Sequence, residues 1–184
     1  HKKTSQKSVK YFGASFLLIS FSYFIQSFLN YLIISKLNEQ ICTIVKISSV
    51  NYFNYLGFLS HSVFLTIGYI LLIFATITSK SLNSLFLLII ASILAIFFSI
   101  NPIFMFYLLS TIFLVFLTIR FIINYFNNRQ INTLLVAIAF LFLLFGTFHF
   151  LISVNHQIFY VLGHILELIA YLLIMIHLYL VFRK

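Results

Sequence analysis

The feature that most constrains this chain is a series of apolar runs, each about as long as a lipid bilayer is thick. A hydrocarbon core of about 30 Å takes about 20 residues of α-helix at 1.5 Å rise. Six stretches of that size can be marked off: Phe12 to Ile34, Tyr55 to Ile77, Leu82 to Ile100, Ile103 to Ile119, Thr133 to Val154 and Ile158 to Phe182. Each is continuously apolar rather than alternating, which excludes barrel strands, and backbone groups in lipid must be satisfied within their own segment. The expected fold class is therefore all-α: a polytopic integral membrane protein with six transmembrane helices over residues 12–184, preceded by a basic segment over residues 1–11.

Composition agrees with this reading. Only 7% of the 184 residues are charged and 63% are hydrophobic, whereas a water-soluble domain carries roughly a quarter of its residues as charge. The punctuation between runs is consistent too: Asn101-Pro102 separates the third from the fourth, and a residue preceding proline is driven out of the helical region. Only Lys36 to Asn54 is long enough to be a substantial loop. The first run is longer than a cleavable signal core of about 7 to 15 residues, and no small-x-small site follows it, so it is expected to remain as a helix.

Charge sorts by side. With six spans, the face shared by both termini carries Lys2, Lys3, Lys7, Lys10, Lys80, Arg120, Arg129, Arg183 and Lys184, and the opposite face carries Lys36 and Lys46. Lys and Arg concentrate in cytoplasmic segments, so both termini are expected in the cytoplasm and the protein in the cell membrane. The net charge of +9 does not imply nucleic acid, because the basic residues punctuate apolar runs instead of gathering on a solvated face. Membrane lipid is the expected surrounding, with a larger membrane complex or a homo-oligomer as the expected assembly. Cys42, the sole cysteine, rules out an internal disulfide, a CxxC redox pair and a thiolate metal cluster.

The first and last hairpins share a loose pattern. Phe58-Leu-Ser-His61 compares with Val161-Leu-Gly-His164, and Gly68-Tyr69-Ile-Leu-Leu with Ala170-Tyr171-Leu-Leu-Ile after a one-residue shift. Helix pairs 1-2 and 5-6 would then form a parallel repeat about an axis along the bilayer normal. Runs of Phe, Leu and Ile produce similar resemblance by composition alone, so the duplication and chance both remain open.

Of the two acids, Glu39 falls in the long loop and Glu167 about nine residues into the sixth span. An ionisable group at that depth costs about 2.5 to 3.5 kcal/mol or more, so it is expected to face protein, water or a partner. His164 at i−3 and Tyr171 at i+4 share its helix face. By depth, His149 on the fifth span and His61 on the second stand level with His164. The four residues His61, His149, His164 and Glu167 thus form a candidate site in one layer toward the outer leaflet, with Tyr171 and Gln26 as proton-relay or supporting groups. His177 lies roughly 220° round the helix from His164 and belongs to another face.

Three imidazoles and a carboxylate suit a transition metal, and two facing histidines suit the axial bonds of a haem, for membrane redox chemistry or ligand sensing. Histidine also titrates near neutrality, which suits a metal-free proton relay in a proton-coupled small-solute transporter. A third reading is a non-catalytic subunit or anchor of a larger membrane complex. The competing structural roles are ordinary ones. His61 and His149 could simply bond carbonyls, His156 could be a solvated loop residue, and Tyr160 with other aromatics could anchor the interface or fill lipid-facing positions. Ser15, Ser20, Ser22, Ser60, Ser62, Thr66, Gly68 and Gly146 are expected to let helices approach and bond. No Walker loop, GxGxxG, GxSxG, HExxH or carboxylate pair is present, which removes nucleotide-driven, serine-hydrolase and glycosidase chemistry, and leaves open whether the protein is an enzyme.

Overall fold

A computed structural model describes residues 2–39, 45–77, 81–153 and 158–182, with side chains described outside residues 2–9, 34–39, 45–51, 132, 181 and 182. Cys42, Lys80, the Asn155-His156-Gln157 segment, Arg183 and Lys184 lie outside the described residues, as do the side chains of Lys36, Glu39 and Lys46. The described residues form six α-helices and no strand: α1 (Lys2–Glu39), α2 (Val45–Thr76), α3 (Leu82–Phe97), α4 (Pro102–Asn128), α5 (Ile131–Ser153) and α6 (Ile158–Phe182). Five are long and apolar enough to cross a membrane, and α3 is a shorter apolar helix. The protein is a multi-pass helical membrane protein.

Helix ends differ from the sequence expectation wherever the chain lacks a stop signal. No glycine or proline lies between Gly13 and Gly57, so α1 runs through the basic segment at its start, and α1 and α2 together take up much of the stretch expected as a loop. Helical hydrogen bonding continues past the apolar run because nothing local interrupts it. α4 likewise continues past Ile119 to Asn128, with the Arg120 guanidinium 5.9 Å from the Phe116 ring. It ends where Arg129 adopts the left-handed conformation (φ 52°) and its N–H donates to the Tyr125 carbonyl at 2.8 Å, a cap usually made by glycine.

The expected break at Asn101-Pro102 takes the form of a helix start. Asn101 is extended, its side-chain oxygen accepts from the Phe104 N–H at 3.1 Å, and Pro102 opens α4, where a missing N–H costs nothing. On the other side of the break, Ser99 donates to the Ile96 carbonyl. α3 therefore stops at Phe97, and its 16 residues span about 24 Å, less than a full hydrocarbon core.

The chain divides into two compact units, His1–Ile93 and Leu94–Lys184, with the boundary inside α3. In the first unit α1 and α2 form an antiparallel hairpin. α1 offers a stripe of Ser15, Ile19, Ser22, Gln26, Leu29 and Ile33, spaced four, three, four, three and four residues apart, and the members whose contacts are known meet α2: Ile19 and Ser15 meet Gly68, Ser22 meets His61 and Leu29 meets Gly57. Tyr11 packs edge-on to Phe74 and Phe21 edge-on to Phe64, which fixes the register along the whole hairpin. α2 buries 56% of its span and α1 only 17%, so α1 gives one stripe to the hairpin and leaves most of its surface exposed.

In the second unit α5 is the middle helix, packed against α4 on one side and α6 on the other. α4 buries Phe106, Ser110, Phe113, Leu114, Leu117 and Thr118 along one stripe. Two contacts set its antiparallel register with α5: Tyr107 stacks on Phe150 at 5.3 Å, and the Thr118 hydroxyl donates to the Phe140 carbonyl at 3.2 Å. α6 turns Gly163, Glu167, Ala170 and Ile174 inward, at intervals of four, three and four. Without a hydrophobic drive between helices in lipid, such close packing and the bonds across it hold the unit together.

Candidate functional site

The site is built where α5 ends and α6 begins. Gly163 sits on the first turns of α6, and a Cβ there would lie 2.6 Å from the Phe150 ring. The ring occupies the space that the glycine leaves, and from there it touches three others: Tyr107 from α4, Tyr160 at 5.7 Å and His164 at 4.7 Å. Tyr160 also meets His164 edge-on, with ring centroids 4.5 Å apart. One turn deeper, Glu167 lies on the inward stripe of α6 against Gly146 of α5. A Cβ on Gly146 would approach the Glu167 Cγ to 3.2 Å and the Gly163 carbonyl to 3.1 Å. Two glycines on facing helices therefore make room, one for a ring and one for a carboxylate stem.

Glu167 is 6% exposed. Its Oε2 is 3.5 Å from Nδ1 of His164, whose side chain is 47% exposed. A sheltered acid and an accessible imidazole are thus adjacent, one turn apart on the same helix. The Tyr107 and Tyr160 phenols lie within electrostatic reach of the same carboxylate, so α4 as well as α6 places polar groups around it.

The remaining residues expected in the layer have other positions. His149 uses Nδ1 on the Phe145 carbonyl of its own helix, at 2.7 Å, and its ring lies 5.7 Å from Phe159. Carbonyl bonding is one of the two roles open to it in the sequence, the other being a ligand. His61 belongs to the other unit. It is buried between α1 and α2, where its Nδ1 is 2.6 Å from the Ser22 hydroxyl, Ser22 also donates to the His61 carbonyl at 3.0 Å, and Tyr23 packs edge-on to the ring. If both Ser22 bonds form together, the hydroxyl donates to the carbonyl and the imidazole N–H donates to the hydroxyl. Gln26 follows Ser22 on the stripe facing α2, in that same unit. Tyr171 buries its hydroxyl one turn beyond Glu167, as its spacing implies, and His177 buries Nδ1 further along α6.

Among the described residues, no three His, Cys, Asp or Glu side chains form a group that could hold a metal ion. Of the four residues expected in one layer for a transition metal or haem, His164 and Glu167 are adjacent within the second unit. His149, in the same unit, is turned instead to its own backbone and to Phe159, and His61 is engaged with Ser22 within the first unit.

Sequence reasoning missed Phe150, Tyr107 and Gly163, and left Tyr160 with the lipid-facing aromatics. One signal was legible: Gly163 immediately precedes His164 in an otherwise bulky helix, and a small residue on a membrane helix marks a close approach. Compared with known proteins, the chain matches no family model, no curated sequence and no solved structure.

Proposed function

We propose that the protein takes up and releases protons at the Glu167 and His164 pair, and that this proton handling serves the movement of a small solute across the cell membrane. The observation that carries the reading is the pairing itself: a carboxylate 6% exposed beside an imidazole 47% exposed. A carboxylate sheltered in a membrane helix bundle is costly when ionised and unpaired, so its charge is coupled to whatever approaches it. Histidine changes charge between about pH 5 and 8, so a half-exposed imidazole can pass a proton between water and the sheltered acid. The charge asymmetry of nine basic residues against two supports cytoplasmic termini. The site would then open toward the outer face.

The test is proton flux into proteoliposomes that contain the full chain and a trapped pH-sensitive dye. Wild-type protein is expected to dissipate an imposed pH gradient faster than empty vesicles, and Glu167→Gln is expected to return the rate to that of empty vesicles. Equal rates for wild type and Glu167→Gln would overturn the proposal.

A further inference from the structure

We infer that the turn joining α4 to α5 holds the headgroup of an acidic phospholipid, whose acyl chains lie along an exposed apolar face of α4. The inference does not depend on Glu167 or its partners. Three features of the second unit support it.

The first is a group of hydrogen-bond donors with no carboxylate among them. Asn124, Asn128 and Arg129 are exposed on the last turn and the cap of α4. The Asn128 amide donates to the Asn124 Oδ1 at 2.7 Å, and the Asn124 side chain keeps its own N–H groups for another acceptor. Arg129 donates through Nε to the Phe126 carbonyl at 3.3 Å, and its guanidinium lies 5.8 Å from the Phe126 ring. These contacts hold the guanidinium at the turn, while its Nη groups make no bond among the described residues. A planar guanidinium with both Nη groups available matches two oxygens of a phosphate.

The second is the distribution of charge. The Lys and Arg residues of the second unit are Arg120, Arg129, Arg183 and Lys184, and all fall in the last third of α4, at its cap, or after α6. Because α4 and α6 each pack antiparallel to α5, their ends lie on one side of the unit. The unit's one acid, Glu167, precedes the end of α6 by 15 residues, about 22 Å of helix rise. Whatever hydrogen bonds the single groups make, this end carries positive charge without a carboxylate to balance it. In a bilayer it stands at headgroup level, and the excess of basic residues turns it toward the cytoplasmic leaflet, where anionic lipids supply the opposite charge. A zwitterionic headgroup would instead bring an ammonium to the same place.

The third feature separates a lipid from a dissolved anion. Ile119, Ile123 and Phe126, at intervals of four and three, form an exposed apolar face that runs up to the donors. A free phosphate gains nothing from this face. A phospholipid sets its phosphate at the turn and its chains along the helix below.

The test is native mass spectrometry of the full chain, released from micelles that contain phosphatidylglycerol or phosphatidylcholine with identical acyl chains. The first phosphatidylglycerol is expected to bind about tenfold more tightly than the first phosphatidylcholine. Arg129→Gly is expected to cut this preference to threefold or less. Glycine accepts the left-handed backbone of residue 129 (φ 52°) more readily than arginine does, so the helix cap survives and the loss is not one of folding. Lys10→Gln removes one positive charge from an exposed position in the first unit, and should leave the preference within twofold of wild type. Inorganic phosphate in tenfold excess over lipid should leave most of the phosphatidylglycerol bound. Equal affinity for the two lipids would overturn the inference, as would a wild-type preference in Arg129→Gly. The same loss in Lys10→Gln as in Arg129→Gly would reduce the effect to net charge, and displacement of the lipid by phosphate would make the turn a simple anion site; either result removes the lipid site.

Discussion

The α1–α2 and α5–α6 hairpins carry the same short pattern, an apolar pair and one small residue before a histidine, and use it in opposite ways. In α1–α2 the imidazole of His61 points across the hairpin to Ser22 and is spent on joining two helices. In α5–α6 the imidazole of His164 stays with its own helix, beside Glu167, and is half-exposed. The residue before each histidine accounts for part of the difference. Ser60 bonds its hydroxyl back to the Leu56 carbonyl of its own helix at 2.7 Å. Gly163 leaves room for Phe150, whose ring then packs on His164. A polar group bonded across a helix pair acts as glue, whereas His164 is held beside an acid of its own helix.

The largest effect expected from testing this contrast is functional. Glu167→Gln should abolish vesicle proton flux while keeping or raising the thermal midpoint of the purified protein, because an amide avoids the cost of a sheltered charge. The matched change in the first hairpin, His61→Gln, should leave flux within twofold of wild type. Comparable loss of flux from His61→Gln would erase the distinction between the two hairpins.

Next come the glycines. Gly163→Ala places a Cβ within 2.6–2.9 Å of a rigid ring, and overpacking of this kind costs about 1–3 kcal/mol, measured by denaturant titration in mixed micelles. Gly68→Ala meets the flexible Ile19 side chain first, at 2.7 Å, although the Ser15 carbonyl stands at 3.2 Å; its cost should be smaller. Gly13 has open space around it, so Gly13→Ala should stabilise by up to about 1 kcal/mol through helix propensity alone. An unchanged midpoint for Gly163→Ala would mean that Phe150 is not held by this contact.

Single interhelical hydrogen bonds should matter least. Ser22→Ala removes the partner of a buried histidine, and Thr118→Val removes the bond to the Phe140 carbonyl. In membrane proteins such bonds average about 0.6 kcal/mol and reach about 1.7, so Ser22→Ala is expected toward the upper end and Thr118→Val near the average, read from the same titrations. The reverse order would indicate that α4 and α5 depend on their bond more than the first hairpin does.

Much of the architecture was legible in the residues. The apolar runs located all six helices, because a spanning segment must satisfy its own backbone and does so only as helix. Pro102 and Asn101 marked a helix start that the structure places within two residues of expectation. Helix extension beyond the apolar runs was less legible, since hydrophobicity reports where lipid would lie and helical hydrogen bonding does not stop at that boundary. The site was half legible. Glu167 stood out as the acid within a span, and His164 followed from its position one turn away. His149 and His61 were drawn in by depth, which sequence spacing supplies, while the direction in which each side chain points is not supplied by spacing between helices.

The order of the chain therefore determined that this is a helical membrane protein, and that one carboxylate had to find shelter with the imidazole beside it. Only the packing of α4, α5 and α6 decided what the shelter is made of. Gly146 and Gly163 acquire a role when α5 and α6 meet in one register, and Tyr107 acquires one when α4 brings it onto Phe150. Contacts within a helix turn follow from its fixed pitch, but contacts between helices depend on which faces meet, and that is settled by the fit of side chains along their full length.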